Sequence, residues 1–155
     1  ILADGTTGLP SRVLKDLDVV VGSVHSAFTQ ETDLMTRRVL SAIGNEHVDI
    51  IGHPTGRLLG QREAYAIDMQ RVIESAAETG TALECNASPY RMDIDDVHIR
   101  EAVNHGGFIS IGTDAHGPGD LAWMNYGVRL CRRGWAGPGN VLNTLNMHDL
   151  LEWAS

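Results

Sequence analysis

Basic residues are scarce in this chain: 12 Lys and Arg stand against 20 Asp and Glu, a formal net charge of −8 over 155 residues. Binding to a nucleic-acid backbone is driven by Lys and Arg displacing counterions, so this piece does not grip phosphates by charge alone. Bound divalent cations would offset much of the negative charge locally. Cysteine is nearly absent, and Cys85 and Cys131 make no disulfide framework, which points to a cytoplasmic protein with reduced thiols. No apolar run approaches a membrane span, and the opening Ile1-Leu2-Ala3-Asp4-Gly5 has neither region of a signal peptide, so no membrane partner is expected. An initial Met is also missing; two apolar residues followed by Asp-Gly read as the end of a strand from something longer. Aromatics make up 5% of the chain, and Trp123, Trp135 and Trp153, with no basic groove around them, are expected to pack rather than stack on bases. There is no repeat and no low-complexity linker. The length suits one domain but falls short of a complete α/β barrel, which runs to about 250 residues.

What is present is an alternation of short apolar runs and helical patterns. Residues 18–24, 48–52, 81–86 and 108–111 read as strands, each leading into a polar exit loop. Between them, Thr32 and Asp33 cap a helix that stops at Gly44, Asp68 begins one that runs to Thr79 with Gly80 closing it, and Asp95 begins another that ends at Gly106-Gly107. Residues 126–131 read as a short fifth strand, and 141–145 and 149–153 as terminal helical turns. This rhythm predicts an α/β fold with a parallel sheet and right-handed crossovers.

Four strand exits carry chemistry: His25, His53, Glu84 with Asn86, and Asp114 with His116. Strand C-termini are where α/β folds collect ligands, because loops there vary without disturbing the core. Imidazole with carboxylate is a ligand set for zinc, manganese or iron. A single histidine after a strand is more often a cap or a hydrogen-bonded loop residue; four exits in register are harder to dismiss. His47, His98, His105 and His148 fall within or beside helices and are expected to be surface or capping residues. Cys85 alternates away from Glu84 into the core. Arg57 fits either a bidentate phosphate clamp or a surface salt bridge.

Ser23-Val24-His25-Ser26, Ile51-Gly52-His53-Pro54-Thr55-Gly56-Arg57, Leu83-Glu84-Cys85-Asn86-Ala87-Ser88 and Gly112-Thr113-Asp114-Ala115-His116, in this order and spacing, resemble the later motifs of a PHP (polymerase and histidinol phosphatase) domain. The His-Pro-Thr-Gly-Arg loop, with Arg132-Arg133-Gly134-Trp135 and Val141-Leu142-Asn143-Thr144-Leu145, resembles the form found in bacterial family X DNA polymerases. The resemblance covers residues 1–155 as the C-terminal portion of one such domain. It implies a distorted (β/α)7 TIM-like barrel, here incomplete because the N-terminal strands are missing, with up to three Mn2+, Zn2+ or Fe2+ ions.

By the same resemblance His25 and His53 match two ligands of one ion, Asp114 a ligand of a second and His116 a ligand of the third, with Asp114 and His116 the catalytic positions. Arg57, Glu84 and Asn86 are carried over as substrate-binding positions in the same cleft. The family's opening His-x-His motif, two further histidine ligands and a bridging glutamate have no counterpart here. The implied activity is metal-dependent 3′-5′ exonuclease or 3′-end-processing hydrolysis in DNA repair, with DNA, the missing barrel strands and a polymerase domain as partners. Two other readings stand beside it: a small-molecule phosphomonoesterase of the histidinol-phosphatase type, and a catalytically incomplete structural fragment. Open strand edges would also favour self-association.

Overall fold

The computed structural model describes all 155 residues. A short helical turn, α1 (Ser11–Leu14), precedes β1 (Val21–Ser23), and three β-α repeats follow: α2 (Thr32–Ile43), β2 (Ile50–Gly52), α3 (Met69–Thr79), β3 (Ala82–Asn86), α4 (Asp96–Asn104) and β4 (Ile109–Gly112). All neighbouring strands pair in parallel, in the order β1-β2-β3-β4. Each strand thus lies beside the next in sequence, joined to it by a crossover through α2, α3 or α4.

Local chemistry accounts for the helices. Asp68 and Asp95 cap α3 and α4, their carboxylates accepting from the N–H of Arg71 and His98, and Gly80 ends α3 in the left-handed conformation at φ 80°. Glu31, rather than Thr32 or Asp33, is the N-cap of α2, and it makes no side-chain capping bond. Met35, Val39, Val72, Ile73 and Ile99 are fully or almost fully buried against Ile51, Leu83, Cys85, Ile109 and Ile111. Burying each large aliphatic side chain contributes roughly 1.5–3 kcal/mol, so this helix-facing layer supplies most of the driving force.

The alternate residues of the strands face the other way. There Ile50 and Ala82 pack with Leu142, joined by Phe108, Leu145 and Trp153 from the following segments. The period of two puts Glu84 and Asn86 on this second face as well.

The fifth strand expected at 126–131 is instead part of a helix, α5 (Met124–Arg133). Its buried residues, Gly127, Leu130 and Cys131, recur at helical spacing, while Tyr126 and Val128 are exposed. A Cβ at Gly127 would sit 2.9 Å from Ala87 Cβ and closer still to Ile111, so the glycine is what lets α5 approach the sheet. The sheet is open, with four strands rather than a closed (β/α)7 barrel. Its β4 edge is covered: Val141 bridges Ile109, and the Asn143 amide accepts from Ile111 N–H (2.7 Å) and donates to Ile111 O (3.0 Å), acting as a one-residue strand. A seven-residue helix, α6 (Met147–Trp153), ends the chain. No helix is long and apolar enough to cross a membrane.

Candidate functional site

The histidines at the exits of β1 and β2 meet. His25 Nε2 lies 3.2 Å from His53 Nε2, with the rings tilted at 51°. Two imidazoles on one cation, with metal–nitrogen bonds of 2.0–2.1 Å at tetrahedral or octahedral angles, place their nitrogens about 2.8–3.4 Å apart. The observed spacing therefore fits one ion held between them. His53 is buried and its Nδ1 has no hydrogen-bond partner. Burial first, then the nearby Arg91 cation, lowers its pKa from 6.5 to about 4, so the ring is neutral near pH 7, the form that binds metals.

The backbone positions these groups under strain. His53 and Asp114, the residues at the exits of β2 and β4, have φ of 30° and 52°. Left-handed backbone at a non-glycine residue costs on the order of 1–3 kcal/mol and persists only where its surroundings enforce it. For His53 the enforcement is visible. Its N–H donates to Glu84 Oε2 at 2.6 Å, and Glu84 Oε2 also accepts from Asn86 Nδ2 at 3.2 Å. The Glu84 carboxylate occupies the space beside Gly112, where a Cβ would collide with Oε1. Burial raises the Glu84 pKa, opposed by the His53 and Asn86 donors. Further along the loop, buried Asp93 accepts from the N–H of Thr55 (3.0 Å) and Gly56 (2.9 Å).

Asp114 and His116 share a cleft of about 540 Å3 with Ser88, Tyr90, Arg91 and Trp123. Arg91 Nε donates to Asp114 Oδ2 at 2.9 Å. His116 Nδ1 lies 2.7 Å from Asp114 O. A carbonyl only accepts, so in the neutral ring Nδ1 carries the proton and Nε2 is left with its lone pair. That nitrogen is free to take a proton or a cation.

Among the site residues expected from the sequence, His25 and His53 converge, and Asp114 and His116 form a separate pair. Arg91 and Asp114 both act electrostatically on His53, which links the two groups. Asn86 and Arg57, expected as substrate-binding positions, are engaged by protein groups, as Arg91 also is through Asp114 and the Arg57 carbonyl. Asn86 is fully buried, its Oδ1 accepting from Ser88 N–H. Arg57 donates to the carbonyls of Arg91 and Met92 and lies 3.7 Å from Asp95, so its guanidinium is engaged by protein. Glu84 binds the backbone of His53. Arg91, Tyr90 and Asp93 went unnoticed in the sequence; their signal is position, in the loop leaving β3. The residues present fit one cation at the histidine pair and do not by themselves assemble three sites. The one trio of His, Asp and Glu with ligand atoms within 4.8 Å of one another is His148, Asp149 and Glu152, exposed on α6 away from these exits.

No family model matches the chain. It is 44% identical over 150 residues to the DNA polymerase/3'-5' exonuclease PolX of Bacillus subtilis, covering 97% of this chain and 26% of that protein. A probable phosphatase of Caldanaerobacter subterraneus is 32% identical over 82% of the chain and 51% of its own length, and one of Thermoanaerobacter sp. is 30% identical over 91% and 59%. The chain thus spans about a quarter of the first relative and little more than half of the others. Similarity along nearly its whole length, with His25, His53 and the pair Asp114 and His116 at the exits of β1, β2 and β4 of a parallel sheet, makes this chain a segment of a PHP (polymerase and histidinol phosphatase) domain.

Proposed function

We propose that the chain carries part of a metal-dependent phosphoesterase site that hydrolyses phosphodiesters at DNA 3′ ends. The observation that carries this reading is the 3.2 Å approach of two imidazole Nε2 atoms on the rim that also holds Asp114 and His116. His25 and neutral His53 hold a divalent cation. Such an ion supplies Lewis acidity, stabilising charge on phosphoryl oxygens and lowering the pKa of water. Arg91 exchanges part of its bond to Asp114 for a substrate phosphate oxygen, and His116 Nε2 takes the proton of the attacking water at the cleft mouth. The phosphorus–oxygen bond to the shortened strand's 3′ oxygen breaks, and that oxygen draws a proton from solvent. In the complete domain the open edge of β1 pairs with further strands to close the barrel, and those strands bring the remaining ligands.

The test is hydrolysis of a 3′-tailed oligonucleotide by the full-length protein with Mn2+ or Zn2+, beside His53→Ala. Loss of at least a hundredfold in the variant is expected; retention of full activity overturns the assignment. The phosphatase relatives favour a second reading, hydrolysis of a small phosphomonoester, in which p-nitrophenyl phosphate is the better substrate.

A further inference from the structure

Tyr90 stands in the cleft with more than half its surface exposed, so a large apolar ring is left in solvent and forgoes the gain of burial. Trp123 packs against it edge-on, with ring centroids 6.0 Å apart and planes at 81°. Hydrogen bonds hold the backbone segments that carry both rings. Tyr90 N–H donates to Ser88 Oγ and its carbonyl accepts from Leu59 N–H at 2.7 Å. Trp123 ends the 3-10 helix Pro118–Trp123, whose Asp120 carboxylate accepts from the N–H of His116 and Gly117 at 3.0 Å each. The arrangement leaves an aromatic face beside Arg91, Asp114 and His116.

We infer that Tyr90, braced by Trp123, is a stacking platform for the base of the 3′-terminal nucleotide, so that the cleft recognises nucleoside phosphates rather than small phosphate esters. This rests on the phosphodiesterase reading above and names the part of the substrate that the reacting groups do not touch. Three features match a nucleotide. The cleft volume lies in the range of small-ligand sites. An aromatic face accepts any base, as sequence-tolerant binding of single strands requires. Arg91, next in sequence, supplies the cation a neighbouring phosphate needs. With a chain charge of −8 there is little general electrostatic attraction for DNA, so a stacked base is a main source of affinity.

The experiment measures binding and turnover separately in the full-length protein. Binding is read by fluorescence anisotropy of a labelled oligo-dT in EDTA, where no hydrolysis occurs, with a normal or an abasic 3′ terminus. Replacing Tyr90 by Ala is expected to weaken binding of the normal end about tenfold, from the usual strength of a base–aromatic stack, and to leave the abasic end unchanged. Tyr90→Phe, which keeps the ring, retains parental affinity for both. Trp123→Ala, acting through Tyr90, shows a smaller loss with the same dependence on the terminal base. Equal affinity of Tyr90→Ala and the parent for the normal end, or equal weakening for both ends, overturns the platform. Turnover decides the underlying reading independently: a parent that binds through Tyr90 but cleaves no phosphodiester keeps the platform and loses the hydrolase.

Discussion

His53 is a buried base whose charged form the fold opposes, and that has a measurable consequence for stability. Its pKa falls from 6.5 to about 4 because burial strips the imidazolium of water and Arg91 and His25 add like charge. Between those values the unfolded chain binds a proton that the folded chain refuses, so stability rises with pH across that window. The contribution is complete above pH 6.5 and lost as pH falls toward 4. At about 1.36 kcal/mol per pH unit, the fall amounts to about 3 kcal/mol. Urea unfolding between pH 4 and 8, in EDTA to remove bound cations, should show this acid-side slope in the parent and a flatter profile in His53→Asn. The titration of the His53 ring proton by NMR should have a midpoint near pH 4. A midpoint near the ordinary 6.5, or an acid-side slope that survives the substitution, would refute the burial argument and with it the claim that His53 is ready for a cation at neutral pH.

Other perturbations probe the rest of the rim. Zn2+ or Mn2+ at a hundred times its dissociation constant should stabilise the chain against urea by about 2.7 kcal/mol, and neither His25→Ala nor His53→Ala should retain that gain; a gain kept by both variants removes the pair as ligands. Asp93→Asn can keep an oxygen for the N–H groups of Thr55 and Gly56 but loses the charge and turns an NH2 toward Thr55 N–H at the other position, and should cost about 1–3 kcal/mol by urea unfolding. Gly56→Ala should cost a similar amount, about 2–4 kcal/mol, because Gly56 has φ 64° and the new methyl would meet the Tyr65 ring, with Cδ1 at 2.7 Å. Arg57→Met should lower stability and leave the Michaelis constant for a phosphodiester near that of the parent, whereas Arg91→Met should raise that constant about tenfold or more; the opposite pattern would exchange the roles of the two arginines.

The sequence discloses much of this structure because its signals are local. Asp68, Gly80 and Asp95 mark helix ends by what their side chains or backbone can do alone, and the apolar runs before His25, His53 and Asp114 are short and β-branched enough to read as buried strands. The error at residues 126–131 has an equally local origin. Tyr126, Val128 and Leu130 alternate as in a strand, while the residue that docks α5 is Gly127, whose contribution is an absent side chain and therefore leaves no apolar mark. The surroundings of Arg57 are hidden from the sequence for another reason. Nothing near Arg57 says that the carbonyls of Arg91 and Met92 will take up its guanidinium from 34 and 35 residues away. The family resemblance, rather than any local signal, implies that His25 and His53 share an ion, and their approach depends on the register of β1 on β2, which only the fold supplies.

The Glu84 carboxylate lodged against Gly112 makes two distant positions interdependent. Any side chain at 112 must evict the acid that holds the His53 backbone, and a shorter residue at 84 leaves that backbone N–H without its acceptor. A library randomised at position 112 alone should return glycine, while one randomised at both positions should recover folded but inactive pairs in which a small residue at 84 accompanies alanine at 112. Such pairs would trade the rim's chemistry for packing, and their frequency would measure how far the fold can persist once the site has been given up.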